Sequence, residues 1–97
     1  MYKVTSSHHN IISPKTVITD TFDQAWAEAC YLLSQEIYSY LQVGHFKLEY
    51  LIVDPVRHQT LNVDLQGIDE YLNAHKVIEI CVTDSGLPIY AVNIEII

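Results

Sequence analysis

The strongest periodic pattern in the chain predicts an amphipathic helix over residues 21 to about 43. Apolar side chains recur there at intervals of three and four, which places them on one helix face. Thr21 and Gln24 have the spacing of a capping box at the start, and Gly44 provides a stop. We expect this stripe to form half of the core; its members are Phe22, Trp26, Ala29, Cys30, Leu33, Ile37, Tyr40 and Leu41.

A β-hairpin is predicted near the end of the sequence, with strands over residues 76–83 and 87–96. A three-residue loop over residues 84–86 would pair Thr83 with Leu87 and bring the apolar side chains of both strands to one face. A two-residue loop would instead place Ile80 opposite Ala91. Matching of the faces therefore favours the longer loop; the shared face would hold Ile78, Ile80, Val82, Tyr90, Val92, Ile94 and Ile96.

Weaker patterns complete the predicted order β-β-α-β-β-α-β-β. Two strands, residues 2–5 and 11–19, precede the long helix. After it we expect a strand over residues 45–53, a short partner strand over 59–64 and a short helix over 68–74. This order predicts one α+β domain spanning residues 1–97, with a mostly antiparallel sheet whose helices cover one face.

Composition narrows the function classes. The 97 residues carry twelve acids and five bases, a net charge of −7. The bases are scattered singly, which argues against a nucleic-acid-binding surface. The first residues lack the apolar region of a signal peptide, and no apolar run is long enough to span a bilayer, so we expect a cytoplasmic protein that does not bind membranes.

Candidate chemistry is sparse. The five histidines show no metal-ligand spacing, and Cys30 and Cys81 fit no metal or redox motif, so we predict no metal site and no cofactor. Both thiols are interpreted as small buried apolar groups, with Cys81 open to reaction only if its strand face is uncovered. We predict no catalytic residues and no enzyme. An enzyme would require a constellation such as Asp54, His58 and Cys81 in one cleft.

The outer face of the long helix is the most informative surface. An isolated domain usually carries Lys and Glu on such a face, whereas this one carries mostly Tyr and Gln. Its residues are Gln24, Glu28, Tyr31, Gln35, Tyr38 and Gln42, of which we select Tyr31, Gln35, Tyr38 and Gln42 as candidate contacts. Tyrosine is enriched at interfaces because it buries a large area and keeps a polar group. The terminal strand is a second candidate, because Ile94 and Ile96 would favour pairing with another chain if the strand lay at a sheet edge.

The leading hypothesis is therefore a small acidic interaction module without enzymatic activity, which binds a protein partner or itself as a homodimer. The alternative for the tyrosines is an ordinary surface role under a loop or in solvent. A rival function is an acidic decoy that occupies the nucleic-acid-binding groove of another protein. A small enzyme of unknown reaction is the third hypothesis.

Overall fold

A six-stranded antiparallel sheet with two helices forms the described part of the chain, which comprises residues 1–8, 15–41 and 47–97 of the computed structural model. The elements run β1 Tyr2–His8, β2 Thr16–Thr19, α1 Phe22–Leu41, β3 Leu48–Asp54, β4 Gln59–Thr60, α2 Leu65–His75, β5 Val77–Asp84 and β6 Leu87–Ile96. The predicted α+β class and element order are confirmed. The parts of predicted elements at residues 11–14, 42–43 and 45–46 lie outside the described residues.

The strand order in the sheet is β2-β1-β6-β5-β3-β4. Strand β6 therefore lies in the interior and pairs along its length with β1 on one side and β5 on the other. The side chain of Ile94 is fully buried, and Ile96 packs against the core. Ile94 and Ile96 were expected to pair with another chain only if this strand lay at a sheet edge, and that condition is not met because β1 and β5 occupy both edges of β6.

The hairpin that joins β5 and β6 has a shorter loop than predicted. Asp84 pairs with Leu87, so the loop contains only Ser85 and Gly86. Both loop residues have positive φ, 52° and 87°. This is the conformation of a type I′ turn, whose twist matches that of the flanking strands. The predicted three-residue loop and the pair between Thr83 and Leu87 are wrong.

A β-bulge restores the matching of apolar faces that the short loop alone would destroy. The register shifts between Val82 and Thr83, because Thr83 pairs with Pro88 whereas Val82 pairs with Tyr90. Ile89 is the extra residue, and from there Ile80 faces Val92 rather than Ala91. The predicted shared apolar face is confirmed, although its cross-strand pairs differ from the predicted ones by two residues.

Side-chain caps close in the sequence determine where the two helices begin. At the start of α1 the predicted capping box is present, because the Gln24 N–H donates to Thr21 Oγ1 at 3.2 Å and the Thr21 N–H donates to Gln24 Oε1 at 3.3 Å. Helix α2 begins at Leu65, earlier than predicted, because Asp64 caps it by accepting from the Gly67 N–H at 2.8 Å. The predicted strand over 59–64 is accordingly reduced to the two residues of β4.

The core lies between the helices and one face of the sheet. Helix α1 packs on β1, β2 and β6, and α2 contributes Ile68 and Leu72 to the same apolar cluster. Among the α1 side chains that the structure describes, the buried ones are Phe22, Ala25, Ala29, Leu32 and Leu33. The buried stripe is thus rotated from the predicted one toward Ala25 and Leu32, and Cys30 is exposed rather than buried.

Candidate interaction groove

An apolar groove of about 350 Å³ lies between α1 and the β3–β5 half of the sheet. We call it the α1–β3 groove. Its helix wall comes from one side of α1, and its other wall comes from β3 and β5. The lining residues are Trp26, Cys30, Leu33, Ser34, Ile37, Tyr50, Ile52 and Ile80.

The helix wall exists because the apolar surface of α1 is wider than the surface that the sheet covers. The helix packs on β1, β2 and β6, which leaves the side bearing Trp26, Cys30 and Ile37 directed toward β3 and β5. Trp26 and Ile37 are only partly buried, and the Trp26 ring stacks on Phe22 with centroids 6.0 Å apart. Partial burial in the groove raises the pKa of the Cys30 thiol.

The sheet wall follows from strand alternation. Ile52 pairs with Ile80 and Tyr50 pairs with Val82, so these side chains share the sheet face on which the helices pack. Ile80 is buried at the floor of the groove, whereas Tyr50 is 58% exposed at its rim. The sequence pattern placed Ile80 on the apolar face of the hairpin and predicted no groove.

The charged side chains of the helix that forms this wall are all negative. Helix α1 contains Asp23, Glu28 and Glu36 and no Lys or Arg, and the sequence has no Lys or Arg from residue 16 to residue 46. The macrodipole adds partial negative charge toward the C-terminal end of the helix, where no basic side chain opposes it in the last turn. An apolar groove beside a negatively charged helix favours a ligand that carries both apolar and cationic groups.

The predicted tyrosine face lies next to the groove on α1. Tyr31 is 56% exposed and Tyr38 is 71% exposed. Tyr31 Oη accepts a hydrogen bond from Gln35 Nε2 at 2.9 Å, and Ser34, which lines the groove, donates its hydroxyl to the Tyr31 carbonyl at 2.9 Å. The structure thus brings Tyr31, Gln35 and Tyr38 onto one exposed face. Gln42 lies outside the described residues.

The most strongly perturbed ionisable group lies at the far end of β3. The Asp54 carboxylate is fully buried and accepts from the Tyr71 hydroxyl at 2.5 Å. It also accepts from the backbone N–H groups of Val56 and Arg57, both at 2.9 Å, and from Arg57 Nη1 at 3.2 Å. The Tyr71 hydrogen bond is the largest cause that holds the Asp54 pKa well below its usual range; the backbone and guanidinium donors act in the same direction, against desolvation.

This carboxylate joins the β3–β4 turn to α2, and its donors come entirely from those two elements. The same bond raises the pKa of Tyr71.

The hypothetical catalytic cluster of Asp54, His58 and Cys81 does not form. Asp54 shares the face of Ile52, whereas Cys81 pairs with Leu51 and Ala91 on the opposite face of the sheet.

No group of three or more His, Cys, Asp or Glu side chains that could hold a metal occurs within residues 1–8, 15–41 and 47–97. In that same part of the chain, neither helix has the length and apolar character required to cross a bilayer.

The fold and groove define a small α+β domain with an acidic helix beside an apolar surface. Comparisons with protein-family models, curated proteins and solved structures give no match.

Proposed function

We propose that this chain is a non-enzymatic protein-interaction module whose contact surface is the α1–β3 groove together with the Tyr31 and Tyr38 face. The observation that carries the proposal is the groove itself, an apolar surface with a tryptophan in its wall and an exposed tyrosine at its rim. Tryptophan and tyrosine are the residues that most often dominate binding energy at protein interfaces.

Charge favours a different protein over a second copy as the partner. Each copy has a net charge of −7, and a symmetric contact through α1 would bring two helices together that each carry three acids and no base. Like charges placed opposite each other at an interface oppose association. A homodimer is therefore the less favoured form of this proposal. The acidic-decoy hypothesis is also less favoured, because a protein that mimics phosphate charge does not require an apolar groove.

Cys30 offers a direct test, because it lines the groove and is exposed. A photo-crosslinker is attached to Cys30 in a Cys81→Ser background, and the protein is exposed to extract from its native host. We expect one saturable crosslinked product that an excess of unlabelled protein prevents. The same probe on Gln66→Cys, an exposed position on α2, in a background that lacks both native thiols, should not give this product.

The double variant Tyr31→Lys and Tyr38→Lys should abolish the crosslink, whereas Leu87→Lys should preserve it. Leu87 is the matched control because it is 71% exposed and lies in β6 rather than on α1. Size-exclusion chromatography with light scattering at micromolar concentration measures self-association separately. A strict monomer whose crosslinking is unchanged by both tyrosine substitutions would contradict the proposal.

A further inference from the structure

The outer edge of β3, on the side away from β5, borders the α1–β3 groove. Strand β4 is short and pairs only with Val53 and Asp54 within the described part of the chain. The preceding residues Glu49, Tyr50 and Leu51 are all exposed. An edge strand with exposed apolar side chains is a template on which another strand can add.

Two hydrogen bonds establish which backbone groups of β3 point outward. The Lys47 carbonyl accepts from the Ser85 N–H at 2.9 Å, so Lys47 faces the β5 side. The Ile52 carbonyl accepts from the Leu61 N–H at 2.7 Å, so Ile52 faces the opposite, outer side. Since backbone direction alternates along a strand, Leu48 and Tyr50 direct their N–H and C=O groups outward. Both residues pair with β5 on the inner side, and on the outer side neither has a strand partner among the described residues.

A strand that added to this edge would have two chemically different faces. Its side chains opposite Leu48 and Tyr50 would lie on the helix-covered face and enter the α1–β3 groove. The alternate side chains would lie on the other face, beside exposed Glu49 in a chain whose net charge is −7. The complementary sequence therefore alternates apolar residues with lysine or arginine.

We propose that the partner is an extended segment of another protein, with alternating apolar and basic residues, that adds as a seventh strand to the outer edge of β3. This inference rests on the proposed function and specifies its ligand. Main-chain hydrogen bonds to Leu48 and Tyr50 supply affinity, and the groove and Glu49 supply specificity. A second copy of this chain is a poorer occupant because the β3 edge itself carries Glu49 and each copy is acidic.

The probe is a synthetic eight-residue peptide of alternating lysine and isoleucine with blocked ends, titrated by fluorescence anisotropy. Backbone amide hydrogen exchange of Leu48 and Tyr50 is measured with and without peptide. We expect saturable binding and slower exchange at both amides. The same peptide N-methylated at alternate residues cannot donate hydrogen bonds along one edge. Its affinity should be lower by about tenfold or more, which is the usual contribution of one or two backbone hydrogen bonds. A glutamate–isoleucine peptide should not bind.

Proline substitution tests the edge in the protein. Tyr50→Pro removes an outward N–H and leaves the ladder to β5 intact, so the fold should persist while peptide binding falls about tenfold or more. Tyr50→Ala removes the ring but keeps the N–H and should retain protection of the Leu48 amide. Ile18→Pro is the matched control, because the Lys15 carbonyl accepts from the Ser6 N–H and alternation then directs Ile18 outward at the opposite sheet edge. Circular dichroism checks folding of each variant.

Equal binding of the N-methylated and unmodified peptides, or unchanged exchange at Leu48 and Tyr50, would overturn the strand-addition proposal even if Tyr50→Pro fails to fold. Failure of strand addition and failure of the interaction module remain distinguishable. If the crosslink in native extract depends on Tyr31 and Tyr38 but not on the Tyr50 N–H, the interaction-module proposal stands and strand addition is refuted. If the peptide binds but no crosslink forms in native extract, the β3 edge can accept a strand and the interaction-module proposal is refuted.

Discussion

Leu32→Ala provides the sharpest test of how α1 is seated on the sheet. Leu32 is 4% exposed, whereas Cys30, two residues earlier on the same helix, is exposed at the groove. Truncation removes three buried carbon groups, worth about 2.4 kcal/mol at roughly 0.8 kcal/mol each, and the residual cavity adds to this. We therefore expect a loss of about 2–5 kcal/mol in the free energy of unfolding.

The matched substitution is Cys30→Ser, which we expect to change stability by less than about 0.5 kcal/mol because the side chain is exposed. For 97 residues, an unfolding entropy of about 2 cal/mol/K per residue converts each 1 kcal/mol into roughly 5 °C of Tm. Calorimetry should show Tm lowered by about 10–25 °C in Leu32→Ala and almost unchanged in Cys30→Ser. The reverse order, a stable Leu32→Ala and a destabilised Cys30→Ser, would refute the observed helix orientation and the groove that depends on it.

Two further predictions concern the turns that hold the sheet. Because the pKa of Asp54 is lowered in the folded state, its ionisation stabilises the protein above its ordinary value of 3.8, and this contribution declines as pH falls from there toward the folded pKa. The Tm difference between wild type and Asp54→Asn should thus be largest near neutral pH and narrow below about pH 4; a constant difference down to pH 2.5 would contradict this assignment. Gly86→Ala should cost about 1 kcal/mol in urea unfolding, because φ is 87° while a Cβ atom there would meet nothing within 4 Å. Gly86→Asn should lose less, and equal stability of all three proteins would show that the turn conformation is not maintained.

The candidate site was only partly accessible to sequence reasoning. Tyr31, Gln35 and Tyr38 were identifiable because a helix has a fixed period, and these positions lie outside both the predicted stripe and the observed one. Trp26 and Cys30 were assigned to the core although they line a groove. An apolar side chain in the sequence indicates that the residue can be buried, but it does not indicate whether another element covers it. A helix whose apolar residues cover more than one face was the available signal.

Local chemistry determined the elements of this protein from sequence alone. The capping box at Thr21 and Gln24, the three- to four-residue period of α1 and the two-residue period of β5 and β6 depend on side chains close in the chain, so each could be predicted without the fold. Tertiary structure decided the rest. Which distant strands pair decides the interior position of β6, the bulge at Ile89 and the outer position of β3, and that choice optimises burial over the entire sheet. The groove arises at this level, because α1 covers β1, β2 and β6, and none of the described residues fills the space between its flank and β3.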